Sequence, residues 1–290
     1  MPNVDLARKD DISSFRKLAI GTWHAPGDPS VYGTLELRMD EAMRYIAELR
    51  ERTGRRITVS HLMAKAVAMV LRECPDANAI LRFNRIYLRK RIGVFFQVAM
   101  TDQGADKVDL SGATLFDLEK KSLVDICDEF EAKVAKVRAR QDESLEKTRA
   151  TFLKVPYLAL NLVLKLLSML LYTFNFDLRR FGAPKDAFGS AMITNIGSLG
   201  LDQAYVPLVP YSRVPLLIAT GAVRERPVAE NGKVVIRQMM SVNVTFDHRL
   251  IDGFHAAVMS RVLREWMEHP YEHFDKLDEI DRSGIESKAA

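Results

Sequence analysis

The sequence has few cysteines, and the two it has lie far apart. Only Cys74 and Cys127 occur in 290 residues, too few for the disulfide framework of a small secreted domain. Neither has a second cysteine or a histidine at the spacing of a zinc ligand set. We therefore predict no metal site, and two isolated thiols favour a reducing compartment such as the cytoplasm.

The sequence also lacks a strong charge of one sign, and its N-terminus does not have the pattern expected of a secretory signal. Its 42 lysine and arginine residues nearly balance 38 aspartate and glutamate residues, leaving a formal charge of +4. The basic residues are spread among acids, so a nucleic-acid partner is not expected. The polar first 15 residues lack the apolar core of a secretory signal. With 48% hydrophobic and 28% charged residues, the composition is that of a globular protein and excludes a disordered or polytopic membrane chain.

Helical and strand periods alternate along the chain and predict a single α+β domain over residues 1–290. Strand patterns occupy 31–38, 85–89, 92–101, 190–195, 215–223 and 233–247, and the turn 230–232 is predicted to join the last two. Helical patterns occupy 40–52, 61–73, 122–150 and 254–268. Asp40 is predicted to cap the first of these helices and Gly54 to end it.

Residues 155–176 form the longest apolar run, and its 22 residues would cross a bilayer core, which takes about 20. Asn161, Lys165 and Ser168 fall at i, i+4 and i+7, which predicts one polar seam along a helix. Basic residues flank the run on both sides. Three alternatives stay open: a core or subunit-interface helix, a helix on a membrane surface or along a greasy substrate channel, and a membrane span.

The sequence DHRLIDG at 247–253 carries the strongest chemical signal. Alternate apolar residues run along the last strand to Phe246, so His248 is predicted to continue the buried row where the strand stops. Burial favours the neutral imidazole that a general base requires. A lone histidine is more often structural, but the flanking charged residues are suited to hold one ring. Asp252 is placed to cap the last helix or to pair with an arginine, and Gly253 suits a tight turn.

The segment 247–253 resembles the DHRxxDG signature of the catalytic domain of dihydrolipoyl acyltransferases, the core subunits of 2-oxoacid dehydrogenase complexes. Chloramphenicol acetyltransferase carries a related version on the same fold. Further similar stretches are SSFRKLAI at 13–20, VSHLMAKAVAMVLRECPDANA at 59–79, MITNIGSLG at 192–200 and GAVRERPVAENGKVVIRQMM at 221–240. The resemblance covers most of the chain outside 150–188. It implies a chloramphenicol acetyltransferase-like mixed sheet packed with helices, with an apolar helical insert at about 152–180.

The resemblance implies thioester transfer. His248 would be the general base that takes the proton from the thiol of coenzyme A or dihydrolipoamide. Thr194 would donate its hydroxyl to the oxyanion of the tetrahedral intermediate. Asp252 would fix the local geometry, with Arg16 as its candidate partner.

The resemblance also implies the substrates and the assembly. Coenzyme A or acyl-coenzyme A is the expected substrate, with Asn195, Gly197 and Arg249 contributing to its binding. The family's site lies between subunits, so a homotrimer or higher oligomer is expected. Asp106-Lys107 resembles a lipoyl-lysine motif without the surrounding lipoyl domain, so no covalent lipoate is expected on this chain.

Three functions remain compatible with these residues. The first is a stand-alone, coenzyme A-dependent acyltransferase acting on a small-molecule thioester and an acceptor. The second is a detached acyltransferase core subunit of a 2-oxoacid dehydrogenase complex. The third is a non-catalytic trimeric scaffold that docks a membrane or a partner through 155–176. The segment has no counterpart in the family, and it would make a cytoplasmic protein peripheral to the membrane if it contacts lipid.

Overall fold

The computed structural model describes residues 2–22, 28–101, 108–139, 141, 155–278 and 280. The strands of this part of the chain are β1 (Leu6–Arg8), β2 (Ser30–Arg38), β3 (Ala79–Arg82), β4 (Arg85–Arg89), β5 (Gly93–Thr101), β6 (Val108–Phe116), β7 (Ala191–Asn195), β8 (Leu216–Thr220), β9 (Arg224–Glu230) and β10 (Lys233–Asp247). Its α-helices are α1 (Ser14–Thr22), α2 (Asp40–Thr53), α3 (Val59–Glu73), α4 (Leu123–Arg138), α5 (Tyr157–Ser168), α6 (Gly253–Glu268) and α7 (Pro270–His273).

Seven strands form one mixed sheet in the order β2-β10-β8-β7-β5-β6, with β9 paired to the first half of β10. β5, β7 and β8 run parallel to one another, and the other neighbours are antiparallel. Strands β1, β4 and β3 form a separate antiparallel sheet. A mixed sheet packed with helices confirms the predicted α+β fold class.

Helices α3 and α6 pack together on one face of the large sheet and supply much of the main core. Every residue of α3 from His61 to Leu71 is buried, including Lys65. The Lys65 ammonium donates to the carbonyl oxygens of Leu118, Glu119 and Lys121 at 3.0, 3.0 and 2.7 Å. Burial lowers the pKa of Lys65, and the three hydrogen bonds offset the cost of a buried cation.

The predicted helix ends are partly right. Gly54 ends α2 as expected, because its φ of 67° is a left-handed conformation that glycine adopts without a side-chain clash. The prediction that Asp40 caps α2 is wrong. Met39 precedes the helix, and the Asp40 carboxylate accepts the backbone N–H of Gln238 in β10 instead. The helix predicted at 122–150 is present as α4, and the predicted segment beyond α4 falls largely outside the described residues.

Four strands were not predicted: β1, β3, β6 and β9. β6 pairs with β5, and an added Cβ at its Gly112 would lie 1.9 Å from the Phe95 ring. The polar β9 contains Pro227 and pairs with a single neighbour, as proline requires of a strand. The turn at 230–232 therefore joins β9, and not β8, to β10. The Asp106-Lys107 pair lies outside the described residues.

The apolar segment forms α5 and a π-helical turn, Met169–Thr173, rather than one regular helix. The predicted polar seam is only partly right. Asn161 and Lys165 are exposed, but Ser168 is buried and accepts a hydrogen bond from Arg213 Nε at 3.0 Å. Several apolar side chains of α5 are exposed beside that seam, with Leu158 fully exposed. Across the described ranges, every helix is too short or too polar to cross a bilayer.

Candidate active site

His248 lies one residue beyond the end of β10, and its main chain is held from two sides. Its N–H donates to the carbonyl oxygen of Pro29 at 2.9 Å, which ties it to the start of β2. Its carbonyl oxygen accepts a hydrogen bond from Arg16 Nη1 of α1 at 3.2 Å. The residue is half-buried, and its Nδ1 atom is shielded from solvent. Hydrogen bonds from two elements, α1 and the start of β2, therefore fix the main chain of His248.

Asp252 joins this support and begins α6. Its Oδ2 lies 2.7 Å from Arg16 Nη2, so the structure contains the ion pair predicted for these two residues. Its Oδ1 accepts the N–H of His255 at 3.1 Å, which makes Asp252 the N-cap of α6. Burial opposes the charged carboxylate, but the hydrogen bonds from His255 lower the pKa of Asp252 overall. A single arginine thus contacts both the general-base candidate and the carboxylate four positions later.

His255 completes this support, and sequence reasoning missed it. Its Nδ1 lies 2.6 Å from Asp252 Oδ1 and its Nε2 lies 3.2 Å from Asp76 Oδ2. The hydrogen bond to Asp76 is the main cause that raises the pKa of His255 above its ordinary value. The same hydrogen bond lowers the pKa of Asp76 to about 2, and the nearby Lys9 lowers it further. Its place three residues after a predicted N-cap was the available signal, since that position of a capping box reaches back to the cap.

Arg249, predicted to contribute to substrate binding, forms an ion pair within its own motif. Its guanidinium donates to both carboxylate oxygens of Asp247, with Nη2 at 2.7 Å and Nε at 3.0 Å. The Asp247 carboxylate also accepts the Arg249 N–H at 2.9 Å. About a third of the Arg249 side chain stays exposed. The pair stiffens the turn after His248 and leaves part of the guanidinium accessible.

Thr194 lies in β7, and the structure does not bring it close to His248 within one chain. Thr194 is paired with Ala219 of β8, whereas the Asp247 N–H donates to the Pro215 carbonyl oxygen at the opposite end of β8. Continuing that register sets His248 beside Val214, five positions from Ala219. Five residues along a strand and two strand spacings across the sheet amount to roughly 19 Å. One copy therefore presents the two predicted catalytic residues at opposite ends of the sheet.

Asn195 and Gly197 shape the turn that follows Thr194. The Asn195 side chain accepts the Ser198 N–H at 3.0 Å and donates to Ser60 Oγ at 3.2 Å. A Cβ added to Gly197 would lie 2.5 Å from the carbonyl oxygen of Gly221, so only glycine fits this close approach. The shape of the turn thus explains why asparagine stands at 195 and glycine at 197.

Polar side chains occupy the face of β10 opposite the helices, and they are buried. Ser241, Asn243 and Thr245 are each at most 1% exposed. Asn243 is paired with Ala219, which is paired with Thr194, so these three residues form one row across the sheet. Within the described ranges, Asn243 Nδ2 and Thr245 Oγ1 have no hydrogen-bond partner. The alternation of residues along β10 predicts a polar face of this strand, but it does not predict that the polar side chains are buried.

The apolar insert reaches the same region through Arg213. This residue has a φ of 56°, and its Nε donates to Ser168 at the end of α5. Burial lowers the pKa of Arg213, with the nearby Arg249 guanidinium as the next cause. The insert therefore contacts the segment next to the 247–253 motif and does not lie apart from the site.

Comparison with known proteins identifies the family. The family model of the 2-oxoacid dehydrogenases acyltransferase (catalytic domain) matches residues 23–153 and 183–274. The unmatched residues 154–182 contain the apolar segment 155–176. The chain is 24% identical over 252 residues to the dihydrolipoyllysine-residue acetyltransferase component of the pyruvate dehydrogenase complex of Rhizobium meliloti, covering 83% of this chain and 45% of that protein. It thus spans less than half the length of that relative.

Solved structures share the fold. The probable dihydrolipoamide acetyltransferase of Listeria monocytogenes matches with a TM-score of 0.64 at 17% identity, over 93% of this chain and 98% of that one. The cubic core of the pyruvate dehydrogenase multienzyme complex matches with a TM-score of 0.62 at 18% identity, over 92% and 94%. Chloramphenicol acetyltransferase matches with a TM-score of 0.50 at 12% identity, over 91% and 100%. The chain therefore belongs to the family of 2-oxoacid dehydrogenase acyltransferase catalytic domains.

Proposed function

We propose that this acyltransferase moves an acyl group between the thioester of coenzyme A and a thiol acceptor, with His248 as the general base. The support that surrounds His248 carries this proposal. Its carbonyl oxygen and the Asp252 carboxylate share the Arg16 guanidinium, so the main chain on both sides of the turn is held by one planar cation. Such a support has a clear purpose if the imidazole must meet a substrate thiol at a fixed position.

The proposed reaction needs only proton transfer and a tetrahedral intermediate. His248 takes the proton of the attacking thiol, and the thiolate adds to the carbonyl carbon of the thioester. The oxyanion that forms accepts a hydrogen bond from the Thr194 hydroxyl. When the intermediate collapses, the second thiolate leaves and takes the proton back from the His248 imidazolium. A single oxyanion donor of this kind is worth roughly 2.7–4 kcal/mol in the transition state.

This reaction requires at least two copies of the chain. His248 and Thr194 lie roughly 19 Å apart in one copy, by strand register and strand spacing, and one thioester carbonyl cannot contact both. We therefore propose that His248 of one copy and Thr194 of the next form each site in a closed ring, as in a homotrimer. The structurally similar pyruvate dehydrogenase core is itself a cubic assembly, which supports an oligomer.

The acceptor distinguishes the stand-alone enzyme from a core subunit that serves lipoyl groups carried by another polypeptide. Both use the same residues, so the test is a panel of acceptors. Acyl-coenzyme A donors of increasing chain length are offered with dihydrolipoamide, with a separate lipoyl domain, and with neither. Transfer only to the lipoyl acceptors favours the core-subunit function. Absence of both coenzyme A binding and transfer would favour the non-catalytic scaffold and overturn the proposal.

His248→Ala tests the assignment of the base. We expect a loss of at least about a hundredfold in kcat, because a positioned general base contributes that much or more. The exposed His269, at the other end of α6, supplies the matched control His269→Ala, which should retain wild-type turnover. Near-wild-type turnover in His248→Ala, with an unchanged unfolding midpoint, would rule out His248 as the base.

We also propose that the exposed face of α5 contacts an anionic lipid surface, keeping the protein cytoplasmic but peripheral to the membrane. Leu158, Leu162 and Leu166 recur every fourth residue and are all exposed, with Lys165 beside them. Residues 155–176 contain no aspartate or glutamate. An apolar helical face with a cation and no acid suits the boundary of an anionic bilayer.

Vesicle sedimentation tests this contact with vesicles that contain or lack anionic lipid. The variant Leu158→Glu/Leu162→Glu should lose binding to the anionic vesicles. A matched control, Val234→Glu/Ile236→Glu, changes two apolar residues that are also exposed, on β10, and should bind like wild type. If the α5 variant instead dissociates the oligomer and the wild type binds no vesicle, α5 is a subunit interface.

A further inference from the structure

Alternating charges link the segment after β1 to the start of α6. Lys9 Nζ lies 2.6 Å from Asp76 Oδ1, and Asp76 Oδ2 lies 3.2 Å from His255 Nε2. The other ring nitrogen of His255 lies 2.6 Å from Asp252 Oδ1, and Asp252 Oδ2 lies 2.7 Å from Arg16. His255 is therefore the group that joins a carboxylate before β3 to the carboxylate at the N-terminus of α6.

The short contacts determine the protonation state of His255. A ring nitrogen 2.6 Å from a carboxylate oxygen must carry a proton, because two lone pairs would repel at that distance. Two other donors face Nδ1, Arg16 Nη2 at 3.1 Å and the Asp252 backbone N–H at 3.4 Å, but both are farther away than Asp252 Oδ1 at 2.6 Å. We therefore assign the Nδ1 proton to the bond with the Asp252 carboxylate. With Nε2 donating to Asp76, both ring nitrogens are protonated. His255 is then an imidazolium between two carboxylates.

A cation is an unusual choice for this position. His255 is the third residue of α6, where the helix dipole disfavours positive charge. Glutamate or glutamine is the usual residue at this place in a capping box, and either would cap the helix without that cost. Histidine also occupies this position in α3, where His61 Nδ1 accepts the Thr58 N–H at 3.1 Å, so the cap by itself is compatible with a histidine. His255 differs in its second ring nitrogen: Nε2 lies 3.2 Å from Asp76 Oδ2, whereas His61 Nε2 has no hydrogen-bond partner within the described ranges. The bridge from Asp252 to Asp76 is therefore the feature that capping does not explain.

We propose that His255 is a positioning residue that, as the imidazolium, holds Asp252 and Arg16 in the arrangement that fixes His248. The inference rests on the proposed function, because its effect on catalysis passes through the general base. The side chain of His255 is 16% exposed. It acts through Asp252: His255 contacts Oδ1 of that carboxylate, and Arg16 donates to Oδ2. The same Arg16 guanidinium donates to the His248 carbonyl oxygen.

The charged groups around His255 set the direction of its pH dependence. Asp76 faces it from the turn before β3, Asp252 from its own helix and Arg16 from α1, with Lys9 behind Asp76. The hydrogen bond to Asp76, and then that to Asp252, raises the pKa of His255 above 6.5. The bridge is therefore fully present below pH 6.5 and is lost as the pH rises through the higher pKa of the folded state. A neutral ring donates to only one of the two carboxylates, so the other is left facing a lone pair.

The test is the pH dependence of kcat/KM for acyl transfer between acetyl-coenzyme A and dihydrolipoamide. The wild type should lose activity as the pH rises through the raised pKa of His255. His255→Gln should be lower at neutral pH, by on the order of tenfold, since a small displacement of a catalytic group has effects of this size or larger. That variant should lack the alkaline decline. His255→Lys should restore activity at neutral pH and move the decline to higher pH, because an ordinary lysine has a pKa of about 10.4.

The control is His269→Gln, a histidine at the far end of the same helix, which should keep the wild-type profile. Ionisation of the substrate thiol acts on every variant alike, so it cannot produce a difference between profiles. If His255→Gln keeps the wild-type alkaline decline, or if the glutamine and lysine variants have the same profile, this inference is wrong. A wild type that neither binds coenzyme A nor transfers an acyl group to any acceptor of the panel would instead overturn the proposed function, and that result is distinguishable from either outcome.

Discussion

The two ends of the central sheet are held by different forces. At the end of β10, charged groups fix the main chain: Arg16 bridges the His248 carbonyl oxygen and Asp252, and Asp252 is shared with His255. At the end of β7, close approach fixes it: Gly197 lies against the backbone of Gly221. The first arrangement depends on pH and on the identity of each charge. The second depends on the absence of a side chain.

The largest expected effect comes from combining one defect at each end. His248→Ala and Thr194→Ala should each be nearly inactive alone, yet oligomers that contain both variants should regain activity. Some interfaces then join an intact histidine from one chain to an intact threonine from the next. Random mixing in a closed ring gives about a quarter of the wild-type sites, and about a third in mixed trimers separated from the pure ones. Co-expression with two different affinity tags isolates the mixed oligomers for the assay.

Recovery in these mixed oligomers would show that the two ends of the sheet complete one another between copies. The control is a mixture of His248→Ala with itself under two tags, which should stay inactive. Mixed oligomers that contain both variants but remain inactive would contradict the shared site.

The next largest effect concerns the charged end. Arg16→Met should lower the free energy of unfolding by roughly 3 kcal/mol, because it leaves the Asp252 carboxylate without its arginine in a partly buried place. Transfer activity should fall as well, since the His248 carbonyl oxygen loses its donor. Arg8→Met is the matched control, because the Arg8–Asp10 pair is largely exposed and should contribute under about 1 kcal/mol. Equal losses for the two variants, by denaturant unfolding, would contradict the importance of the charged end.

A somewhat smaller effect is expected at the end held by shape. Gly197→Ala should cost about 1–3 kcal/mol of unfolding free energy, because backbone atoms 2.5 Å from the new Cβ must move. This cost should not vary between pH 6 and pH 9, unlike that of a change in the charged network. Gly33→Ala is the control, since an added Cβ there meets no atom within 4 Å. A pH-dependent cost for Gly197→Ala would show that the two ends are coupled.

The two ends also differ in how far the sequence predicts them. The alternation along β10 predicts His248 at a strand end, because that pattern is local. The Arg16–Asp252 pair joins residues 236 positions apart, and the family resemblance, not a local pattern, is what implies it. His255 and Asp76 are 179 positions apart, and no local pattern indicates that such residues meet. Likewise, the period-two pattern of β10 assigns Asn243 and Thr245 to a polar face but does not show that the face is buried. Contact between distant segments could therefore be predicted only where the family resemblance implied it.

The smallest expected effect tests the buried polar face that runs between the two ends. Thr245→Val replaces a buried hydroxyl that has no partner among the described residues with a methyl group of similar size. Because no hydrogen bond is lost within the chain, the free energy of unfolding should be unchanged or should rise by less than about 1 kcal/mol. Ser241→Ala is the control: its hydroxyl donates to Glu36 at 2.7 Å, so its loss should cost about 1 kcal/mol. If Thr245→Val is as costly as Ser241→Ala in denaturant unfolding of the intact oligomer, the hydroxyl has a partner from outside this chain. The polar face would then belong to the shared site as much as its two ends do.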